Sequence, residues 1–263
     1  MTHSAPNSEP ILRVDRVSVD FDGLRALNRC SFDVGPGEIY AVIGPNGAGK
    51  TTLFNVVSGI YAPAEGQVLF LGRRVDRMRP SRISRMGMAR SFQNLELFSG
   101  LTALENVLVG GHRHMGYGFL RSLVGGLAVR RREERARFEA QGLLESLGIG
   151  EYADLRVEDL PYGVQKKVEI ARALATRPKL LLLDEPAAGL NDAETRELMA
   201  TIRRIRDERG ITILLVEHNM RFVMGLSDRI CVLNFGRILA EGRPEEIRTN
   251  PAVVEAYLGE AAC

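Results

Sequence analysis

The feature that most constrains this chain is the stretch from Glu38 to Asn55. It begins with a short apolar and β-branched run, Ile39 to Ile43, which is bounded by glycines and is typical of a buried strand. A glycine-rich loop follows, and after Lys50 apolar side chains recur at helical spacing. The stretch therefore predicts a strand, a glycine loop and a helix, in that order.

The loop matches the pattern G-x-x-x-x-G-K-[ST], which indicates phosphate binding. Gly44, Gly49, Lys50 and Thr51 fill its four fixed positions. Glycines let the backbone curl around a polyphosphate, so that N–H groups and the start of the helix point at the anion. The lysine would reach the β- and γ-phosphates, and the threonine hydroxyl would bind Mg²⁺. A chance match is expected about one time in a hundred, and the strand and helix context also fits. We therefore predict nucleotide phosphate binding.

Composition limits the other classes of function. The chain has 263 residues, 45% hydrophobic and 26% charged, which suits one large α/β domain or one domain with an inserted lobe. Its net charge of +2 gives no reason to expect a nucleic acid as partner. Cys30, Cys231 and Cys263 are widely spaced, which suits a reducing compartment and fits neither a disulfide framework nor a zinc site.

The N-terminus and the apolar runs indicate how the chain relates to a membrane. Residues 1–10 are polar and have no apolar core, so we expect a disordered lead and no signal peptide. No window approaches the ~18 consecutive apolar residues that a membrane span needs. If the protein works at a membrane, we expect it to do so by binding a protein that spans it.

The first part of the chain predicts an antiparallel β lobe. Ile11–Phe21 and Leu24–Val34 have strand patterns, and Asp22-Gly23 between them is typical of a hairpin turn. Gln67–Leu71 predicts a further strand, closed by Gly72.

A helical lobe is predicted from about Pro80 to Gly150, where the sequence is rich in arginine. Its segment 115–126 is rich in glycine and leucine and fits either a loop or a short hairpin, of which we favour the loop. His112 and His114 are expected to be exposed, since residues two apart do not share a helical face. The two predicted apolar faces consist of Leu101, Leu104, Val107 and Leu108, and of Phe138, Leu143, Leu144 and Leu147.

The last part alternates strand and helix patterns. Leu180–Leu183 is apolar throughout, and Ile211–Val216 is apolar apart from Thr212, which is typical of buried parallel strands. Arg229–Leu233 and Arg237–Ala240 are predicted to close the sheet, and Val253–Leu258 predicts a terminal helix.

Two acids, Asp184 and Glu185, directly follow the first of these apolar strands. The carboxyl end of a strand in an open α/β sheet is where ligands bind. One carboxylate there can hold Mg²⁺ while its neighbour polarises the water that attacks the γ-phosphate. A solvated sheet edge is the alternative interpretation, and the phosphate loop favours the catalytic one.

Three further motifs follow the phosphate loop in a known order. Leu160–Gln165 is Leu-Pro-Tyr-Gly-Val-Gln, Ile170–Leu174 is Ile-Ala-Arg-Ala-Leu, and Leu180–Pro186 is Leu-Leu-Leu-Leu-Asp-Glu-Pro. With the phosphate loop, this order resembles the ATP-binding cassette (ABC) ATPases over roughly residues 11–259. The resemblance implies a single α/β ABC ATPase domain, a P-loop NTPase with a mainly parallel sheet, an antiparallel β lobe and an inserted helical subdomain at about residues 87–175. It also implies ATP and Mg²⁺ as cofactors and ATP hydrolysis as the activity.

The resemblance implies roles for individual residues. Glu185 matches the catalytic glutamate, Gln93 the residue that senses the γ-phosphate and Mg²⁺, and His218 the switch histidine that contacts the γ-phosphate. Phe21 stands where the family has an aromatic side chain that stacks on adenine, and Ala188–Asn191 matches the D-loop. The implied nucleotide-binding residues are Phe21, Gly44, Pro45, Asn46, Gly47, Ala48, Gly49, Lys50, Thr51, Thr52, Asp184, Pro161, Tyr162 and Gly163, and the implied Mg²⁺ ligands are Thr51, Gln93 and Asp184.

Some of these residues have structural alternatives. Phe21 could simply pack against its turn, although stacking on a base contributes ~1 to 3 kcal/mol in comparable sites. Asn191, with Glu194 three residues later, fits a helix N-cap with a capping box. His218 would be an ordinary histidine without its place after the apolar strand.

The signature loop departs from the family pattern Leu-Ser-Gly-Gly-Gln. Pro161 replaces the serine and Tyr162 the first glycine. In an ABC dimer this loop caps the γ-phosphate bound to the opposite subunit with the serine hydroxyl, backbone N–H groups and a helix N-terminus. Proline offers neither hydroxyl nor N–H, but it is tolerated at a helix start and Gly163 keeps the close approach. We expect the loop to form, and the competence of the site that it completes on the partner stays an open question.

Within the family, the chain looks most like the ATP-binding subunits of branched-chain amino-acid importers. The similar stretches are Gly87–Phe98, the Tyr-Gly variant of the signature, Asp184–Asn191 and Ala256–Ala261. This resemblance implies transmembrane permease subunits and a second cassette as partners, in a homodimer or, as we favour, a heterodimer. It implies a cytoplasmic, peripheral location on the inner face of the cell membrane.

Other functions within and outside transport remain as alternatives. The nearest rivals by substrate are ATPases for urea or amide import and the lipopolysaccharide-export ATPase, whose ends resemble those of this chain. Soluble ABC proteins of DNA repair or translation would show a long coiled coil or two cassettes in one chain. A P-loop small-molecule kinase would not explain the signature helix or the strand before His218.

Overall fold

The apolar strand before the phosphate loop, β3 (Ile39–Ile43), lies inside a six-stranded sheet, and all five of its residues are buried. The computed structural model describes residues 9–91, 97–112 and 127–258. The other strands of this sheet are β6 (Met88–Arg90), β7 (Leu180–Asp184), β8 (Thr212–Val216), β9 (Arg229–Asn234) and β10 (Arg237–Gly242). Five strands are parallel and β10 is antiparallel at one edge, in the order β10-β9-β3-β8-β7-β6.

A second sheet is antiparallel and has four strands, in the order β2 (Leu24–Val34), β1 (Leu12–Phe21), β4 (Glu65–Phe70) and β5 (Arg73–Arg74). The predicted hairpin is confirmed, and its turn consists of Asp22 at φ 45° and Gly23 at φ 87°. Positive φ at both positions is typical of the two-residue turns that connect hairpin strands.

Helices cover both faces of the parallel sheet, as the alternating strand and helix pattern predicts. In the described part of the chain, no helix is both long enough and apolar enough to cross a membrane. The helices are α1 (Lys50–Val57), α2 (Pro80–Met86), α3 (Ala103–Gly111), α4 (Leu127–Ser146), α5 (Tyr162–Leu174), α6 (Asp192–Arg209), α7 (Met220–Leu226), α8 (Pro244–Arg248) and α9 (Pro251–Leu258).

The two faces of the parallel sheet contribute to two separate apolar cores. Ile39, Ala41 and Ile43 of β3 face the core built with α3 to α7. Tyr40 and Val42 face the core shared with α1 and the antiparallel sheet. Successive side chains of a strand point to opposite faces, so β3 joins the two cores and its end positions the phosphate loop between them.

Two details of the predicted helical lobe are wrong. The apolar pattern predicts Phe138 on the buried face of α4, but it is 81% exposed. It precedes Leu143 by five residues, which is about 140° around a helix, whereas Leu143, Leu144 and Leu147 share the buried face. Met88–Arg90, within the stretch assigned to the lobe, is instead the edge strand β6 beside β7. His112 is exposed at the end of α3, and His114, Gln93 and segment 115–126 lie outside the described residues.

Candidate nucleotide site

The phosphate loop depends on glycines at both ends for steric reasons. A Cβ on Gly44, whose φ is 155°, would lie 2.0 Å from the carbonyl oxygen of Leu233 on β9. A Cβ on Gly49, at φ 103°, would lie 2.7 Å from the carbonyl oxygen of Ala26. Real Cβ contacts are never this short, so no other residue fits either position without moving the backbone. The loop is therefore wedged between β9 and the antiparallel sheet.

Lys50, the first residue of α1, points back into this loop. Its Nζ donates hydrogen bonds to the carbonyl oxygens of Gly44 at 2.6 Å and Pro45 at 2.8 Å. Although only 8% of Lys50 is exposed, its ammonium lies inside the ring of loop residues where a phosphate would bind. Thr51 and Thr52 follow in the first turn of α1, with Thr51 exposed to solvent.

The two predicted acids end the neighbouring strand β7 in different environments. Asp184 is buried, and its Oδ2 accepts a hydrogen bond from Arg90 Nη2 at 2.8 Å. Glu185 is the first residue beyond the strand and has a left-handed backbone, φ 46°. A non-glycine residue costs of order 1 to 3 kcal/mol in this region, and such residues cluster at functional sites.

His218 lies close to Glu185, as their predicted roles require. The strands before them, β7 and β8, are paired in parallel with Asp184 opposite Val216, so both side chains leave the same edge of the sheet. His218 Nδ1 is 3.8 Å from Glu185 Oε2, and the histidine side chain is 60% exposed. The histidine is therefore adjacent to the acid and accessible to a ligand.

Glu217, between β8 and His218, is a residue that sequence reasoning missed. Its side chain is fully buried, and its carboxylate accepts hydrogen bonds from the backbone N–H groups of Ala187, His218 and Asn219. Burial raises the pKa of the Glu217 carboxyl, and these bonds oppose the shift. The signal that could have revealed Glu217 is an acid directly after an apolar strand, which is also the pattern that identified Asp184.

The signature loop forms despite its proline, as expected. Pro161 takes the N-cap position of α5, and its carbonyl oxygen accepts hydrogen bonds from the N–H groups of Val164 and Gln165. The Tyr162 ring lies against Gly189, where an added Cβ would be 3.0 Å from Tyr162 Cε1. The loop thus contacts the D-loop segment that follows Glu185.

Asn191, at the end of that segment, is the N-cap of α6, and the predicted capping box is confirmed. Its Oδ1 accepts the N–H groups of Ala193 and Glu194, and Glu194 Oε2 accepts the N–H of Asn191. The start of α6, beside the signature loop, is thereby fixed.

Phe21, the predicted adenine-stacking residue, lies at the end of β1 beside the turn and is partly exposed. Its ring meets Tyr61 edge-on, with centroids 5.3 Å apart and an angle of 74°. The Tyr61 contact is the packing interaction that the structural alternative requires, and the exposed part of the ring is accessible to a base, as stacking requires. Gln93 lies outside the described residues.

Two sequence profiles of known protein families match this chain. The sequence profile described as "ABC transporter" matches residues 27–188, and that described as "Branched-chain amino acid ATP-binding cassette transporter" matches residues 237–263. The high-affinity branched-chain amino acid transport ATP-binding protein BraF of Pseudomonas aeruginosa is 46% identical over 254 residues, which covers 97% of this chain and 100% of BraF. Its counterpart LivG of Escherichia coli strain K12 is 45% identical with the same coverage.

A solved structure has the same fold. The crystal structure of the ADP conformation of an ATP-binding cassette of an ABC transporter superposes with a TM-score of 0.83 at 33% identity, covering 96% of this chain and 100% of that one. The profile match spans the phosphate loop, the signature loop and the acids at the end of β7. With the strand order and the wedged loop, these matches establish that the chain belongs to the ABC transporter family, as one of its ATP-binding and ATP-hydrolysing subunits.

Proposed function

We propose that this chain powers the uptake of branched-chain or related amino acids through a membrane permease. The observation that carries the proposal is the end-to-end similarity to transport ATP-binding proteins for branched-chain amino acids, at 45 to 46% identity. The match of residues 237–263 to a profile for such cassettes supports it independently of the phosphate loop.

In the proposed site, the chain holds ATP by its phosphates. The backbone from Gly44 to Thr52 surrounds the β- and γ-phosphates, and the Lys50 ammonium exchanges loop carbonyl oxygens for phosphate oxygens. Phe21 stacks on the adenine. Pro161, Tyr162 and Gly163 act on the nucleotide of a partner subunit.

Hydrolysis is assigned to the residues at the ends of β7 and β8. Glu185 orients and polarises the attacking water, because its carboxylate stands beyond the buried strand end and is partly accessible. His218 lies 3.8 Å from Glu185, and we assign it to contact with the γ-phosphate. We assign Gln93 to sensing the γ-phosphate and its metal ion.

The donors also suit Mg²⁺ as the cofactor of the nucleotide. Thr51 offers a hydroxyl, Asp184 a carboxylate and Gln93 an amide oxygen, which are the hard oxygen ligands that this ion prefers. When bound, the ion would neutralise charge on the phosphates. Asp184 is held for this role by Arg90, which fixes one of its oxygens.

A transporter subunit of this kind works with a membrane permease and a second ATPase. We propose that the cassette spans residues 11–259, with a helical subdomain inserted between β6 and β7, and that it binds the permease at the inner face of the cell membrane. A heterodimer is favoured because Pro161 lacks the hydroxyl and N–H that the signature position supplies. Pairing with a complete signature would leave the site on this chain intact.

The proposal is tested with the assembled transporter and with cells that lack the chain. Glu185→Gln keeps the side chain's size but removes the base, so we expect ATP binding to persist and hydrolysis to fall by roughly 100-fold or more. Glu208→Gln on the exposed end of α6 is the matched control. Labelled leucine uptake should be lost without the chain and restored by wild type and Glu208→Gln only. Normal uptake in its absence would refute the proposed substrate class.

A further inference from the structure

Glu217 is a buried acid whose carboxylate, among the residues that the structure describes, is hydrogen-bonded by backbone N–H groups alone. None of its surface is exposed, and within the described residues its carboxylate accepts three hydrogen bonds. Burying an ionisable group costs free energy unless its partners compensate. A position that needed only to fill this part of the core would be served by an apolar side chain, so the carboxylate calls for a specific explanation.

The two oxygens of this carboxylate bond to two different loops. Oε1 accepts the N–H of Ala187, at 2.7 Å, in the loop after β7. Oε2 accepts the N–H groups of His218, at 3.0 Å, and Asn219, at 3.2 Å, in the loop after β8. One side chain therefore bridges the loop that starts with Glu185 and the loop that carries His218.

The bridge also bears on the strained backbone at Glu185. The Glu185 N–H donates to the Val216 carbonyl oxygen at 2.9 Å, and the Ala188 N–H donates to the Glu185 carbonyl oxygen at 3.1 Å. The Ala187 N–H between them donates to Glu217. A left-handed residue such as Glu185 persists only where its surroundings hold it, and Glu217 supplies one of these three bonds.

We propose that Glu217 is a positioning residue, whose carboxylate ties the Glu185 loop to the His218 loop and so sets the separation and orientation of these two side chains. The proposal rests on the proposed function for the roles of Glu185 and His218. Only a carboxylate fits, because both of its oxygens accept hydrogen bonds. A glutamine would present an NH₂ group to one of the two loops and leave that loop's N–H facing a donor.

The kinetic test compares Glu217→Gln with Glu38→Gln in the assembled transporter. Glu38 is also a largely buried acid that accepts a backbone N–H, from Gly35, and burial likewise raises its pKa. It precedes β3, whereas Glu217 follows the parallel strand β8, so the two acids lie at opposite edges of the sheet. We expect Glu217→Gln to lower kcat about 10- to 100-fold with KM for ATP nearly unchanged, as expected for misplaced reacting groups. Glu38→Gln should leave kcat unchanged.

A double-mutant cycle separates positioning from a general loss of structure. In a His218→Ala background, Glu217→Gln should lower kcat by a smaller factor than in wild type, because the part of its effect that acts through the His218 loop is already lost and coupled changes are not additive. An equal fold-loss with and without His218 would overturn the proposal.

Hydrogen exchange supplies a measurement that does not need activity. Glu217→Gln should speed exchange of the amide of Ala187 or of the amides of His218 and Asn219, whereas Glu38→Gln should not. Unchanged exchange in both loops would overturn the bridge. If wild type failed to hydrolyse ATP, the proposed function would fail, while exchange would still decide whether the bridge exists.

Discussion

Arg90 of the edge strand β6 forms a buried ion pair with Asp184 at the end of β7, at 2.8 Å between Nη2 and Oδ2. Its Nη1 donates to Asn55 Oδ1 at 2.7 Å and to Ser58 Oγ at 2.9 Å, at the far end of the helix that follows the phosphate loop. The guanidinium also lies 5.6 Å from the centre of the Phe54 ring. One side chain thus joins the proposed metal-binding acid to helix α1.

Replacing Arg90 should damage both stability and function. Arg90→Ala leaves Asp184 buried without its partner, for which a loss of about 3 to 5 kcal/mol in unfolding free energy is expected. Arg90→Lys keeps the charge but not the planar fork, so it should retain part of the stability and still require more Mg²⁺ for half-maximal hydrolysis. Denaturant unfolding and Mg²⁺ titration of ATPase activity measure the two effects.

Arg177→Ala is the control for this comparison. Arg177 pairs with Glu139 on the surface, where the two side chains are 59% and 41% exposed. Arg177→Ala should lower the unfolding free energy by no more than about 1 kcal/mol. Equal losses for Arg90→Ala and Arg177→Ala would show that the buried pair has no special importance.

Lys50 should govern nucleotide affinity. Lys50→Met keeps most of the buried stem but removes the ammonium, and each lost charge-assisted bond costs about 1.5 to 3 kcal/mol. We expect ATP affinity to fall by roughly 10- to 150-fold in a titration by calorimetry. The exposed Lys179→Met is the matched control, and an unchanged affinity for Lys50→Met would exclude the phosphate contact.

Pro161 provides a test of the paired assembly. Pro161→Ser adds a hydroxyl that can contact a γ-phosphate on the opposite subunit, a bond of about 1.5 to 3 kcal/mol if well aligned. In a heterodimer the gain should appear only at the partner's site. The measurement is hydrolysis by the complete complex with one catalytic glutamate inactivated at a time.

Pro161→Ser also has a local effect on α5, which must be distinguished from its effect on the partner's site. Serine at the N-cap also stabilises α5 by about 1 kcal/mol. Pro161→Ala removes the ring without adding the hydroxyl, so it is the comparison for turnover. A gain confined to this chain's own Glu185 site would contradict action in trans.

Asp76 should make stability depend on acid pH. Its side chain is 1% exposed. Burial disfavours its ionised form, but hydrogen bonds from Arg74 and from the Val68 N–H outweigh burial and hold the pKa of Asp76 below its ordinary value of 3.8. Its contribution is therefore present above pH 3.8 and is lost as pH falls through the lowered folded-state pKa.

Asp76→Asn tests this sign. At neutral pH the variant should lose about 1.5 to 3 kcal/mol of unfolding free energy, as for a hydrogen bond to a charged group. The difference from wild type should shrink below pH 3.8 in urea unfolding curves. Asp20→Asn, in an exposed pair with Arg25, should lose less. A difference that is constant with pH would contradict the lowered pKa.

Local patterns were sufficient for the features that local chemistry decides. The phosphate loop, the Asp22-Gly23 turn and the Asn191 capping box all follow from residue types at fixed spacings. The buried strands β3, β7 and β8 follow from short runs that are apolar at nearly every position. In each case, the residues that determine the local structure lie within a few positions of one another in the sequence.

Apart from Phe138, the features that were missed depend on distant parts of the chain. Strand β6 has only three residues and is a strand because β7 lies beside it. The roles of Arg90 and Glu217 depend on Asp184 and Ala187, which reach them only through the sheet. Phe138 was misplaced by an error of helical phase rather than by tertiary structure.

The position of β3 has a consequence for how the protein is made. Both neighbours of this strand, β8 and β9, come after residue 211, and the Gly236 N–H that bonds the Ala48 carbonyl oxygen of the phosphate loop comes later still. At about 5 to 20 residues per second on a ribosome, the strand would emerge roughly ten seconds or more before its partners. During that interval the nascent chain carries an unpaired apolar strand, and its capacity to bind nucleotide arises only near the end of synthesis.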